Sequence, residues 1–107
     1  MTNLIQTFSA LGDPTRFAIV ERLLTQGELS AGELHDVAEI SPPALYRHFK
    51  VLREAGLIDQ RIDKQRRLYS VRPDTMQAVS DWFMTYREFW GSSLDRLGAA
   101  LEQKGQK

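Results

Sequence analysis

Ser41-Pro42-Pro43-Ala44-Leu45-Tyr46-Arg47-His48-Phe49-Lys50-Val51-Leu52-Arg53-Glu54-Ala55-Gly56 is the stretch whose reading decides the fold. Serine followed by proline is a helix start: the hydroxyl caps a backbone N–H, and proline at the first helical position loses nothing by lacking one. Leu45, Phe49 and Leu52 then fall at i, i+4 and i+7, one inward stripe, and Gly56 stops the helix. Outside the stripe the early turns carry Pro42, Pro43, Ala44, Tyr46 and Arg47, and the helix as a whole is basic. Immediately upstream, Ser30-Ala31-Gly32-Glu33 reads as a capping box, with Leu34, Val37 and Ala38 behind it. Two short helices joined by a tight turn make a helix-turn-helix over about 30–55.

Working outward, the period changes after Gly56. Leu57 to Ile62 and Leu68 to Val71 read as strands, separated by the polar run Asp63-Lys64-Gln65-Arg66-Arg67, so 57–72 is a hairpin with a charged tip that lacks a glycine. Pro73 closes it. Asp74 is placed to cap a long last helix over about 74–101, with Met76, Val79, Phe83, Tyr86, Trp90, Leu94, Leu97 and Leu101 alternating three and four apart. Toward the N-terminus, Leu4, Ile5, Phe8 and Leu11 form a first helix that Gly12 ends. Asp13-Pro14 then opens a second, with Phe17, Val20, Leu23 and Leu24 as its buried stripe. The fold class is mainly α (α+β), about five helices and a two-stranded wing in the order α-α-α-α-β-β-α, a winged helix-turn-helix. No repeat or Pro, Gly and Ser-rich linker divides residues 1–107, so a single domain is expected.

The chain carries 14 basic and 14 acidic residues, and the balance hides an uneven distribution. Residues 1–40 hold 2 basic and 6 acidic side chains, 41–72 hold 8 and 3, and 73–107 hold 4 and 5. Positive charge is thus confined to the helix-turn-helix and its hairpin, which is the footprint expected for phosphate, because binding responds to the field of a face more than to the total. With no cysteine, disulfides, thiolate metal ligands and thiol chemistry drop out. Two histidines, no Gly-rich phosphate loop and no Ser, His and acid set speak against an enzyme. No run approaches the ~20 apolar residues of a membrane helix, and Met1 to Leu11 lacks the pattern of a signal peptide, so a soluble, cytoplasmic chain without a membrane partner is expected.

Leu11-Gly12-Asp13-Pro14-Thr15-Arg16, the block from Ser41 to Ile58, and Arg67-Leu68-Tyr69-Ser70-Val71 together resemble the ArsR/SmtB family of bacterial repressors. The last helix, with Trp82-Phe83 and Tyr86-Arg87-Glu88-Phe89-Trp90, looks like the metal-independent branch. The resemblance implies double-stranded DNA as partner, a homodimer on a palindromic operator, repression, and no cofactor or metal. It puts Pro42, Pro43, Ala44, Tyr46 and Arg47 against base edges, with Arg47 suited to a bidentate guanine contact. Ser41, His48 and Lys50 are assigned to phosphates or to the helix itself, and Arg61, Lys64, Gln65, Arg66 and Arg67 to a wing reaching phosphates or the minor groove. Leu4, Ile5, Phe8, Phe83, Tyr86, Trp90, Leu94 and Leu97 are assigned to the dimer interface or the core behind it. Two alternatives stay open: a winged-helix module for protein interaction, which would be expected to lose the basic residues of helix and wing, and an aromatic pocket for a small apolar effector.

Overall fold

A computed structural model describes residues 3–105. The order is α1 (Leu4–Leu11), α2 (Pro14–Gln26), β1 (Leu29–Ser30), a 3₁₀ turn (His35–Val37), α3 (Pro42–Glu54), β2 (Ile58–Asp63), β3 (Arg66–Val71), α4 (Pro73–Thr85) and α5 (Arg87–Gly105). The strands form an antiparallel sheet in the order β1-β3-β2, so the hairpin β2–β3 is the wing and β1 adds a short third strand to it. This is a winged helix-turn-helix, mostly helical.

Local chemistry sets most of the boundaries. Asp13 caps α2, its carboxylate accepting from the N–H groups of Thr15 (2.9 Å) and Arg16 (3.0 Å). Ser41 caps α3 by accepting from Ala44 N–H at 3.3 Å. At the far end of α3 the Leu57 N–H reaches Leu52 O and the Gly56 N–H reaches Arg53 O, with Gly56 at φ 74, a left-handed closure that favours glycine. The buried Thr75 hydroxyl donates to Gly56 O at 2.5 Å, fastening the start of α4 to that same corner. One core joins these parts: Ile19, Val20 and Leu23 of α2, Leu29, Leu34, the expected Leu45, Phe49 and Leu52 of α3, then Leu57, Ile58 and Tyr69 of the wing. Phe49 is its hub, tilted against Tyr69 with ring centroids 4.3 Å apart.

Four details differ from the sequence reading. The Ser30–Glu33 capping box forms, with Ser30 N–H donating to the Glu33 carboxylate and Glu33 N–H to Ser30 Oγ, each at 3.1 Å, but it leads only into a turn and the 3₁₀ segment. Ser30 is held extended by pairing with Leu68, and Gly32 weakens the few residues left before the next cap, too few to nucleate an α-helix. Phe17 and Leu24 are 49% and 53% exposed, Ile19 taking the buried place beside Val20 and Leu23. Asp74 does not cap α4: Arg72 occupies that position, and the Asp74 carboxylate instead binds its guanidinium at 2.9 and 3.2 Å. The long last helix is divided at Tyr86, where the N–H turns to Phe83 O while the Thr85 hydroxyl bonds back to Asp81 O at 2.8 Å. Across that bend Phe83 packs on Trp90 at 5.3 Å and Trp82 on Trp90 at 6.3 Å.

Candidate nucleic-acid interface

The inward stripe of α3 dictates what its outer face presents. With Leu45, Phe49 and Leu52 buried, Pro42, Pro43, Tyr46, Arg47, Lys50 and Arg53 are exposed and Ala44 is half-buried. Arg47 makes no hydrogen bond or ion pair among the described residues, and the Lys50 ammonium comes no nearer to Glu54 than 4.0 Å. Pro42 and Pro43 occupy the first two helical positions, so two of the free N–H groups that a helix start usually offers are missing, and Ala44 N–H is taken by Ser41 Oγ. That leaves Ser41 in the capping role, with little of the usual donor array for an anion.

A cleft runs between α3 and the wing, lined by Tyr46, Lys50, Arg53, Gln60, Arg67 and Tyr69. The Arg67 guanidinium lies over the Tyr46 ring, 5.5 Å from its centroid, and Tyr46 stands edge-on to Phe49 at 5.8 Å. Tyr69 donates its hydroxyl to Gln60 Oε1 at 3.0 Å, and burial pushes its phenol above the ordinary value. Arg53, absent from the sequence expectation, joins this cleft. The available signal was its place three residues beyond Lys50, the helical neighbour spacing.

His48 departs from the expected set. It is turned toward α2, its Nδ1 3.3 Å from Arg16 Nη1 and 3.8 Å from Asp13 Oδ2, so it braces α3 against the start of α2. Arg16 completes the brace by donating Nε–H to Ala10 O at 2.7 Å. The Asp13 carboxyl is held below its ordinary value, first by the Arg16 backbone N–H and then, against a burial cost, by the charges of Arg16 and His48.

On the wing, β2 and β3 pair from Ile58↔Val71 to Asp63↔Arg66, leaving Lys64-Gln65 as a two-residue turn. Lys64 takes φ 59, the left-handed conformation that the missing glycine would have supplied. Arg66 and Arg67 are therefore strand residues. Arg66 lies 3.5 Å from Asp63, and Arg61 donates two hydrogen bonds to Glu28, at 2.8 and 2.6 Å. Only Lys64, among the wing cations, has no ion-pair or aromatic partner among the described residues.

Away from this face, Ile5, Phe8, Phe83, Tyr86 and Leu97 are exposed, Leu4 and Trp90 are half-buried, and the side chain of Leu94 lies outside the described residues. Phe8 meets Trp82 at 5.6 Å, which joins α1 to the aromatic cluster of α4 and α5. The indole N–H of Trp90 is buried without a partner among the described residues. His35 is exposed, and its neighbour Asp36 is bound by Arg22 at 2.5 Å; no group of three or more His, Asp or Glu side chains that could hold a metal gathers among the described residues. No helix of the described residues is long and apolar enough to cross a membrane.

A helix-turn-helix followed by a basic wing defines the class: a DNA-binding transcriptional regulator of the winged-helix kind. A family model for a helix-turn-helix domain matches residues 11–61. The chain is 35% identical over 100 residues to the HTH-type transcriptional regulator Rv2034 of Mycobacterium tuberculosis, covering 94% of this chain and 90% of that one. It is 30% identical over 79 residues to the transcriptional repressor SdpR of Bacillus subtilis, covering 74% and 87%. Among solved structures, an ArsR family transcriptional regulator, RHA00566, superposes with a TM-score of 0.71 at 29% identity, covering 83% of this chain and 91% of that one. The chain belongs to the ArsR family of transcriptional regulators.

Proposed function

We propose that this regulator is a sequence-specific repressor that binds a roughly palindromic operator as a homodimer, with α3 in the major groove and the wing on flanking backbone. The observation that carries this is the outer face of α3: Arg47 is exposed and uncommitted on a helix that Ser41, Leu45, Phe49 and His48 hold rigidly in place. Such a side chain suits a bidentate guanine contact, while Tyr46 and the Ala44 methyl suit a thymine methyl. Lys50, Arg53, Lys64, Gln65 and Arg66 suit the phosphate backbone, where they fix register without reading sequence. Repression is what the name of the SdpR relative suggests.

Dimerisation through α1, α4 and α5 is supported by the exposed Ile5, Phe8, Phe83, Tyr86 and Leu97, an apolar face larger than packing within one chain uses. On this reading residues 1–107 work as one unit, the helix-turn-helix and wing reading DNA and the outer helices pairing the copies. DNA release does not depend on a transition metal, since His48 serves Arg16 and Asp36 serves Arg22. Nor does the reading require a catalytic step or a cofactor.

The test is selection of duplexes from a random pool, then titration of the selected and a scrambled duplex, with light scattering for mass and added zinc in one arm. A dimer preferring an inverted repeat, with half-sites ~34–36 Å apart and unaffected by zinc, is expected. A monomer that binds both duplexes equally overturns the reading.

A further inference from the structure

The wing sorts its cations by face. Strand alternation sends Gln60, Arg67 and Tyr69 to the side facing α3, and Arg61, Arg66 and Leu68 to the other. On that other side stands Glu28, just before β1, whose carboxylate spans β3 to take both Nε–H and Nη2–H of Arg61. The geometry is the two-pronged fork of a guanidinium on a carboxylate, the same pattern with which arginine takes a phosphate, so Glu28 competes with a phosphate for the Nε/Nη2 edge of Arg61. Glu28 is held below its ordinary value first by the Arg61 hydrogen bonds and also, against a burial cost, by the charges of Arg61 and Arg66. The side chains of Arg61 and Glu28 are 59% and 34% exposed, and exposed pairs of this kind contribute little to folding. Its effect lies elsewhere.

We propose that Glu28 is a positioning residue for specificity: it occupies the Arg61 guanidinium and so withholds one phosphate contact that would strengthen binding to every sequence alike. Phosphate contacts raise affinity without discriminating, and discrimination rests on the difference between operator and other DNA, so an acid that removes a non-specific contact sharpens selection. This rests on the wing lying along the DNA backbone, as proposed above.

The experiment compares wild type, Glu28→Gln, Arg61→Ala, the double variant and Lys64→Gln by titration of operator and scrambled duplex at several salt concentrations, with denaturation profiles as a check on folding. Glu28→Gln keeps the side-chain volume. It is expected to bind the scrambled duplex more tightly, to narrow the operator preference, and to steepen the salt dependence by about 0.9 unit for each additional phosphate neutralised. The double variant is expected to fall back to the level of Arg61→Ala, which itself loses less salt dependence than Lys64→Gln. If Glu28→Gln strengthens binding equally with and without Arg61, the carboxylate acts only as a distant negative charge and the proposal is overturned. It is overturned as well if Arg61→Ala flattens the salt dependence as much as Lys64→Gln while Glu28→Gln changes nothing. Because slopes are read on scrambled duplex, they judge Glu28 whatever the operator preference. An unaltered slope in Lys64→Gln would instead count against the wing reading itself.

Discussion

Helix α3 and the wing carry similar charge and use it differently. On α3, Arg47 has no partner among the described residues and Lys50 has only a distant one, while on the wing Arg61 is bound to Glu28, Arg66 to Asp63 and Arg67 is stacked on Tyr46. Past the wing, Arg72 is shared between Asp74 and Asp59. The helix owes its place to buried carbon; the wing commits its cations to exposed ion pairs that contribute little to folding. Formal charge therefore counts only potential contacts, and geometry decides which of them are already taken up inside the chain.

The largest effect tests whether the two regions share one support. Phe49→Ala removes the ring between Tyr46 and Tyr69 and should cost about 3–5 kcal/mol, a large part of what a domain of this size possesses. Guanidinium denaturation followed by circular dichroism measures it; a loss below about 1 kcal/mol would mean that helix and wing are held separately.

Next in size, Arg47→Ala should cost about 1–3 kcal/mol per half-site on operator DNA and relax preference at one base pair, with the salt dependence little changed. Equal weakening on operator and scrambled duplex would put helix and wing in the same role.

Lys64→Gly sharpens the comparison from the other side. Releasing a non-glycine residue from φ 59 should stabilise the fold by about 0.5–1 kcal/mol, after the greater freedom of glycine in the unfolded chain is set against it. DNA affinity should fall in the same protein, because a wing cation is lost. Thermal unfolding and a salt-dependent titration separate the two signs.

The smallest effect is acid sensitivity. Glu28, Glu33, Asp36 and Asp74 are all depressed below ordinary values of 4.5 for Glu and 3.8 for Asp, chiefly by hydrogen bonds from Arg61, Ser30, Arg22 and Arg72 respectively. A carboxylate depressed on folding stabilises above its unfolded pKa and loses that contribution as the pH falls. The melting temperature should therefore be level down to about pH 5 and decline modestly below it, and Glu28→Gln should remove part of the decline. A midpoint that rises on acidification would contradict these pairings.

How much of the fold and the interface was legible in the sequence follows from the range of each interaction. The caps at Asp13 and Ser41, the Leu45, Phe49, Leu52 stripe and the hairpin are local, so residue type and spacing suffice to find them. β1 is two residues long and exists only because Leu68 and Tyr69, far along the chain, pair with it. The break at Tyr86 has no proline or glycine to mark it; it follows from a threonine bonding backward and from aromatic rings meeting across the bend. Arg61 read as a free wing cation because its partner is 33 residues distant, and His48 left the exposed face because Arg16 and Asp13 sit beneath it. Ile5 and Phe8, by contrast, were assigned only through the resemblance, to the dimer interface or the core behind it, and the structure leaves both exposed.

The paired prolines at the head of α3 have a thermodynamic corollary. A helix tip entering a groove must shed the water bound to its unpaired donors, and here Pro42 and Pro43 bring none, while the one at Ala44 is already satisfied by Ser41. The tip is two pyrrolidine rings, fixed at φ of about −65° and presenting carbon, so the insertion proposed above would strip little bound water and freeze little backbone. In the docking proposed above, the Arg47 guanidinium is then a group that must be dehydrated, and a duplex that offers it no acceptor leaves that cost unrecovered.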